Sequence, residues 1–389
     1  MEKINDLSTP CFILDPKELE RSVRGFQEAL NSKFGNSIVG YSVKTNSVPF
    51  CLKCAGKLGA YAEVVSSDEY ELALACGFSK GNIIYNGPLK SKETFIDAIL
   101  HGAIVNIETK RELSWLKELP HDKKYNVGLR VNINISHVSP EDADGENDNS
   151  RFGFSDETEE LKDALSFIKQ IDNVELAGLH IHRTTHSRSV RFYKKSIEYA
   201  CQTIKKYGLS INYLDVGGGF FGRFPNKPTY QQYSDAFYEV LSKFEMQNLC
   251  VIVEPGNALV ASCFSFISEV IDVKHVEKEL WFITTNGSRN DIDPFFKKST
   301  YLCETVDYNK NRDIAKEQIV SGCTCLEYDR MHTLKDKPLL SVGDRIVYNN
   351  VGAYTMCLSP MFIRYIPNIY VKNEDSFELI REKWTAQEH

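Results

Sequence analysis

The stretch IVGYSVKTN, residues 38–46, decides how the chain is read. Its β-branched and apolar run, 38–43, stops on Lys44. Seven more runs of this kind follow: 61–65 (YAEVV), 83–86 (IIYN), 104–107 (IVNI), 126–131 (NVGLRV), 175–181 (ELAGLHI), 213–216 (YLDV) and 250–253 (CVIV). Segments of helical character lie between them, among them 67–76, 90–101, 155–170, 188–207 and 229–245. Strands alternating with helices imply parallel β-α units, and eight such units close a (β/α)8 barrel. A doubly wound open sheet is the alternative topology.

Outward from this core the rhythm changes. Before it, Asp15 can cap a helix, with Pro16 at its first position and Glu18 completing a capping-box-like arrangement. Leu19, Val23, Phe26 and Leu30 then recur at helical spacing and give it one buried face. From about 262 onward, strand-like runs separated by turns replace the alternation: FSFISEVIDV, LWFITT, QIVSGC, DRIVYNN, PNIYV and FELI. The expected organisation is an α/β chain: an N-terminal segment 1–35, a (β/α)8 barrel over 36–262, and a mostly antiparallel β domain over 263–389 that the N-terminal segment partly joins.

Composition narrows the function classes. The 389 residues are 42% hydrophobic and 25% charged, an ordinary globular balance. A net charge of −7 with dispersed basic residues gives no footprint for nucleic acid. No run of 18 apolar residues occurs, and the start has no basic segment followed by an apolar one, so a cytoplasmic protein without a membrane partner is expected. The 11 cysteines follow no repeating spacing, which suits a reducing compartment. Cys51 and Cys54 form a C-x-x-C with no second pair at zinc spacing, and two turns of a packed helix explain them.

Catalytic groups of such barrels stand at the C-terminal ends of the strands. Here those ends carry Lys44, Glu63, Arg130, His182, the run Gly217-Gly218-Gly219 and Glu254. A partly desolvated lysine has a lowered pKa and can form a Schiff base, although a snorkelling surface lysine would look the same. Three glycines leave backbone N–H groups open to an anion, as a phosphate turn requires. The run HIHRTTH could supply an imidazole to lie on a cofactor ring or, through His180 and His182, part of a metal site; no ligand cluster accompanies the pair, so no metal is expected.

In order, YSVKTN, EVVSSDEYELALACG, IIYNGPLKS, VNIE, LRVN, RFGF, GLHIH, LDVGGGF, VEPG, CTCLEYD and VGAYT extend from about residue 9 to 362. This ordered set resembles the fold-type III pyridoxal-5′-phosphate (PLP) decarboxylases, the group that includes diaminopimelate, ornithine, arginine and carboxynorspermidine decarboxylases on an alanine-racemase-like barrel. The resemblance implies a PLP-dependent amino-acid decarboxylase. Lys44 would carry PLP as a Schiff base, His182 would stack on the ring, and Glu254 would pair with the pyridine nitrogen. Gly217, Gly218, Gly219, Gly256 and Tyr354 would hold the phosphate, with Asn257 and Thr185 beside it. Glu63 and Arg130 match barrel-floor positions that support the lysine and the cofactor. Cys325 matches a cysteine that reaches a neighbouring subunit's site and protonates the product, which implies a homodimer with two shared sites.

Three departures bear on the substrate. The family's H-x-G-S is His182-Arg183-Thr184-Thr185 here, and the arginine that commonly follows E-P-G is Asn257. Leu326 stands where relatives place an acid for the distal ammonium, with Glu327 displaced by one position and Asp329 close by. A diamine-type substrate would then bury its far charge without a direct partner. Arg183 and Arg188, with His186, could instead fork onto a carboxylate or phosphate, unless they are solvated residues that open a helix. A diaminopimelate-like substrate with a carboxylated or conjugated distal end is expected; a carboxylated polyamine or a specialised-metabolite intermediate is the alternative. A racemase commonly has arginine rather than Glu254 at the ring nitrogen, a decarboxylase-like regulatory binding protein would have lost Lys44, and a metal-dependent hydrolase would need more ligands than His180 and His182.

Overall fold

The computed structural model describes residues 4–145, 148–306 and 311–388. They separate into two compact units, one of Glu20–Leu259 and one that joins the residues up to Leu19 with those from Val260 onward. No helix among the described residues is long and apolar enough to cross a membrane.

The first unit is a closed barrel of eight parallel strands: β1 (Ser37–Ser42), β2 (Tyr61–Ser66), β3 (Ile83–Leu89), β4 (Ile104–Ile107), β5 (Tyr125–Asn132), β6 (Val174–His180), β7 (Tyr213–Asp215) and β8 (Cys250–Val253). Neighbours run β4-β3-β2-β1-β8-β7-β6-β5, and a β4–β5 pairing closes the ring. All eight expected strands form. Closure rules out the open doubly wound sheet, and a two-residue strand, Phe154–Ser155, adds to β5 outside the ring.

Apolar runs form strands because both faces of a parallel barrel are covered. Polar residues inside those runs are therefore the exceptions to explain. Glu63, Asn86, Asn106, Arg130, His180 and Asp215 all lie within barrel strands, and all are buried. Several outer helices begin with a side-chain cap: Ser66, Ser91, Thr109, Ser189 and Thr229 accept from the N–H of Glu69, Thr94, Glu112, Phe192 and Gln232. Cys51 and Cys54 lie on the helix Pro49–Lys57, Cys51 buried and both thiols free.

The first helix spans Pro16–Asn31, and Asp15 caps it through the N–H groups of Lys17 and Glu18 at 3.0 and 3.2 Å. The reciprocal half of the expected capping box is replaced. The Asp15 N–H donates to the Cys263 carbonyl at 2.8 Å, and the Glu18 carboxylate accepts from Ser262 Oγ at 3.2 Å. Leu19, Val23, Phe26 and Leu30 are all fully buried, and each contributes about 1.5–3 kcal/mol of burial.

The second unit is a nine-stranded, mostly antiparallel sheet. Its path runs 330–338, 314–321, 280–285, 264–277, 11–14, 368–372 and 377–381, with 345–349 pairing both 264–277 and 302–306. Two pairs are parallel: 11–14 with 368–372, and 280–285 with 314–321. The strand Cys11–Leu14 thus sits between two strands from the far end of the chain, and Cys11, Ile13, Ile267, Val347 and Tyr370 form one core.

Candidate active site

The polar residues of the barrel strands meet at its C-terminal end. Lys44 lies in the turn Val43–Thr45 that follows β1, and its Nζ is 2.5 Å from Glu63 Oε2 on β2. Ser42 Oγ donates to the same oxygen at 2.7 Å. Asn86 on β3 donates to Glu63 Oε1 at 3.2 Å and to Glu254 Oε1 just beyond β8. Asn106 on β4 donates to Asn86 Oδ1 at 2.9 Å and to Asp215 Oδ2 on β7 at 3.1 Å, and it accepts from the Tyr213 hydroxyl at 2.9 Å. One network therefore ties Glu63, Glu254 and Asp215 to each other through two amides. Glu63 and Arg130 stand inside their strands rather than at the ends.

His182 follows β6. Its Nδ1 accepts from the Gly218 N–H at 3.0 Å, which leaves the proton of a neutral ring on Nε2, 3.3 Å from Thr184 Oγ1. Arg130 donates to Glu108 Oε2 at 2.7 Å and to the His182 carbonyl at 3.2 Å, so it fixes that turn from below. Burial and then the Arg130 charge hold both His180 and His182 well below the usual imidazole range. Among the described residues neither ring nitrogen of His180 finds a hydrogen-bond partner.

The glycines are required by space. A Cβ on Gly217 would lie 2.4 Å from His182 Cβ, one on Gly218 2.4 Å from the Glu254 carbonyl, and one on Gly256 2.1 Å from Thr45 Oγ1. Gly217 and Gly219 also have φ of +72° and +88°. Asn257 opens the short helix Asn257–Val260 directly after Gly256.

Arg183 and Arg188 are treated differently by the fold. Arg183 Nη2 is bound to Asp148 Oδ1 at 2.6 Å and to its carbonyl at 2.9 Å. Arg188 has a positive φ of 45°, accepted because Thr185 Oγ1 takes its N–H at 3.0 Å and Tyr233 donates to its carbonyl at 2.7 Å. Its guanidinium lies 5.2 Å from the centre of the Phe221 ring and, among the described residues, in no ion pair.

The remaining expected site residues belong to the other unit. Cys325 is exposed, Leu326 half-buried and Glu327 exposed. Asp329 is buried, and four donors occupy its carboxylate: Ser288 Oγ at 3.1 Å, Arg289 N–H at 2.8 Å, and Thr324 N–H and Oγ1 at 3.2 and 2.6 Å. Tyr354 takes a positive φ of 55° and is partly exposed.

The barrel residues fit a planar, phosphorylated cofactor by their own features. They provide an amine on a buried carboxylate, a ring fixed by a backbone N–H, and a glycine turn in which a side chain at Gly217 or Gly218 would collide. Asn86, Asn106, Glu108 and Asp215 were not expected as part of this site. For Asn86, Asn106 and Asp215 the signal was a polar residue in an apolar strand; Glu108 directly follows one.

Comparison with known proteins agrees with this geometry. The family model described as pyridoxal-dependent decarboxylase, pyridoxal binding domain, matches residues 17–261. A probable chloroplastic diaminopimelate decarboxylase of Oryza sativa subsp. japonica is 28% identical over 388 residues, which takes in 96% of this chain and 77% of the relative. Two solved structures share the fold. Diaminopimelate decarboxylase from M. jannaschii in complex with L-lysine has a TM-score of 0.84 at 22% identity, covering 98% of this chain and 91% of that one. The arginine decarboxylase of Paramecium bursaria Chlorella virus bound to agmatine has a TM-score of 0.76 at 21% identity, covering 94% and 96%.

Proposed function

The chain belongs to the pyridoxal-dependent decarboxylases and is a PLP-dependent amino-acid carboxy-lyase, and from that premise we propose that its substrate is a diaminopimelate-like amino acid with a carboxylate at its distal end. The observation that carries this reading is Arg188, a half-buried guanidinium 5.2 Å from the centre of the Phe221 ring and, among the described residues, in no ion pair. A forked cation of this kind suits a substrate carboxylate. Leu326 and the saturated Asp329 support the same conclusion, since neither offers a bare ammonium a free acid. The Oryza relative is a probable diaminopimelate decarboxylase.

In this reading Lys44 would hold the cofactor, His182 would lie against its ring, Glu254 would pair with the ring nitrogen, and Gly217, Gly218, Gly219 and Gly256 would hold the phosphate, with Tyr354 as a further phosphate ligand. When bound, PLP supplies the electron sink that makes loss of CO2 from Cα feasible. The chain supplies placement and protons. Glu63 anchors the Lys44 ammonium when the amine is free, and Arg130 keeps the turn that carries His182 in place. Cys325, supplied by a second copy of the chain, delivers the proton that replaces the lost carboxylate at Cα. The test is CO2 release by PLP-loaded protein from meso-diaminopimelate, lysine, ornithine and carboxylated polyamines. Diaminopimelate is expected to give the highest kcat/KM; preference for lysine or ornithine overturns the reading.

A further inference from the structure

Six carboxylates among the described residues of the barrel unit are buried: Glu63, Glu108, Glu112, Asp142, Asp215 and Glu254. Four have a cation against them: Lys44 on Glu63, Arg130 on Glu108, Lys90 on Glu112 and Arg191 on Asp142, at 2.5, 2.7, 3.2 and 3.1 Å. Among the described residues Asp215 and Glu254 have none, and they are neighbours. The register of β7 against β8 sets Asp215 beside Ile252, and Glu254 comes two residues later on the same face. With His180, each brings a polar atom within 4.8 Å of the others. His180 Nε2 is 3.5 Å from Glu254 Oε2, but burial keeps that imidazole neutral.

Two adjacent carboxylates in a dry interior with no cation cannot both ionise. We infer that Asp215 and Glu254 hold one proton between them, so that the pair carries a single negative charge and Asp215 positions that charge on Glu254. Donors act against this: the Gly217 N–H at 3.0 Å and Asn106 at 3.1 Å both favour an ionised Asp215. Burial and then the Glu254 charge outweigh them and raise the Asp215 carboxyl well above the usual range. Asn86 donates to Glu254 on the other side of the pair. The inference rests on the reading of Glu254 as the partner of the cofactor's ring nitrogen. Asp215 is then a positioning residue: a second negative charge beside the ring would change the protonation of that nitrogen.

The charged and titratable groups around the pair are Glu63 and Lys44 by β1 and β2, Glu108 and Arg130 by β4 and β5, His180 and His182 by β6, Tyr213 on β7 and Cys250 on β8. They are common to wild type and variant, so a difference between the two profiles cancels them. The sign follows from the raised carboxyl. The folded wild-type apoprotein retains a proton that the unfolded chain has released, so it loses stability as pH rises from the ordinary carboxyl range toward the pair's upper pKa. Asp215→Asn removes that slope.

The experiment measures Tm against pH for full-length apoprotein in wild type, Asp215→Asn, Glu254→Gln and the double variant. The difference between Asp215→Asn and wild type should move in the variant's favour by roughly 2–3 °C per pH unit, whatever constant offset the substitution brings. Glu254→Gln should show the same slope and the double variant no more, since one proton is shared. The infrared carbonyl stretch of a protonated carboxylic acid should be present in wild-type apoprotein and absent in Asp215→Asn, which reads the proton without reference to stability. Parallel Tm profiles, or metal analysis that finds an ion bound by the wild-type apoprotein and lost in Asp215→Asn, overturn the inference. PLP uptake, followed by visible absorbance, separates the two readings. Wild-type protein that takes up no PLP refutes the proposed function and leaves the shared proton standing; parallel profiles in protein that takes up PLP do the reverse.

Discussion

Lys44 Nζ rests 2.5 Å from Glu63 Oε2, an amine at the open end of the barrel held by a carboxylate that is itself buried and fixed by Ser42 and Asn86. The pairing keeps the lysine aimed inward. Borohydride treatment of PLP-loaded protein should link the cofactor to Lys44, read by peptide mapping, and Lys44→Ala should lose that label. Glu63→Gln should retain the label and slow turnover by about 10²-fold. A label on any other lysine removes Lys44 from its assigned place.

Lys44 and Cys325 belong to different units, and the proposal assigns them to one site through a second copy of the chain. Lys44→Ala and Cys325→Ala should each be inactive. When mixed under conditions of random subunit exchange, they should recover roughly a quarter of wild-type sites, because each mixed dimer rebuilds one intact site. Subunit exchange shown by mass labelling with no regained activity would count against sharing.

Arg188 and Arg183 should part company in kinetics. Arg188→Ala removes a charge-assisted contact of about 1.5–3 kcal/mol, so KM for diaminopimelate should rise about 10- to 100-fold while KM for lysine stays put. Arg183→Ala frees Asp148 and should act on both substrates alike. Equal effects of the two substitutions on the two substrates would remove Arg188 as the carboxylate partner.

Lys90 is fully buried, with Nζ 2.7 Å from the Gly87 carbonyl, 3.1 Å from that of Asn106 and 3.2 Å from Glu112. Lys90→Met strands a buried carboxylate and should cost about 3–5 kcal/mol of stability by denaturant unfolding, most of it regained in Lys90→Met/Glu112→Leu. If the double variant is no more stable than the single one, the pair is not what the site depends on.

What the sequence reveals and what it hides follow from one distinction. The eight barrel strands are legible because each is a short apolar run between helical segments, and the motifs fall in or just after them in chain order. Leu302–Val306 and Arg330–Pro338 escaped notice because they are peripheral strands whose side chains alternate with charge and exposure, so no apolar run marks them. Asn86, Asn106 and Asp215 were visible as letters within IIYN, IVNI and YLDV. Their joint role was not, because a closed ring of strands brings together residues more than a hundred positions apart. Arg183 illustrates the opposite limit. Its spacing from His182 suggested a free guanidinium, and only the folded loop shows Asp148 already there.

The place of Cys11–Leu14 between 264–277 and 368–372 sets an order on synthesis. A ribosome releases that strand long before either partner exists, so it must wait with both edges open while the barrel, complete by residue 259, can already close. The β unit is sealed only when 368–372 emerges. A nascent chain arrested before that point would carry a finished barrel and a leading strand with one edge still open, the species a chaperone would be expected to meet.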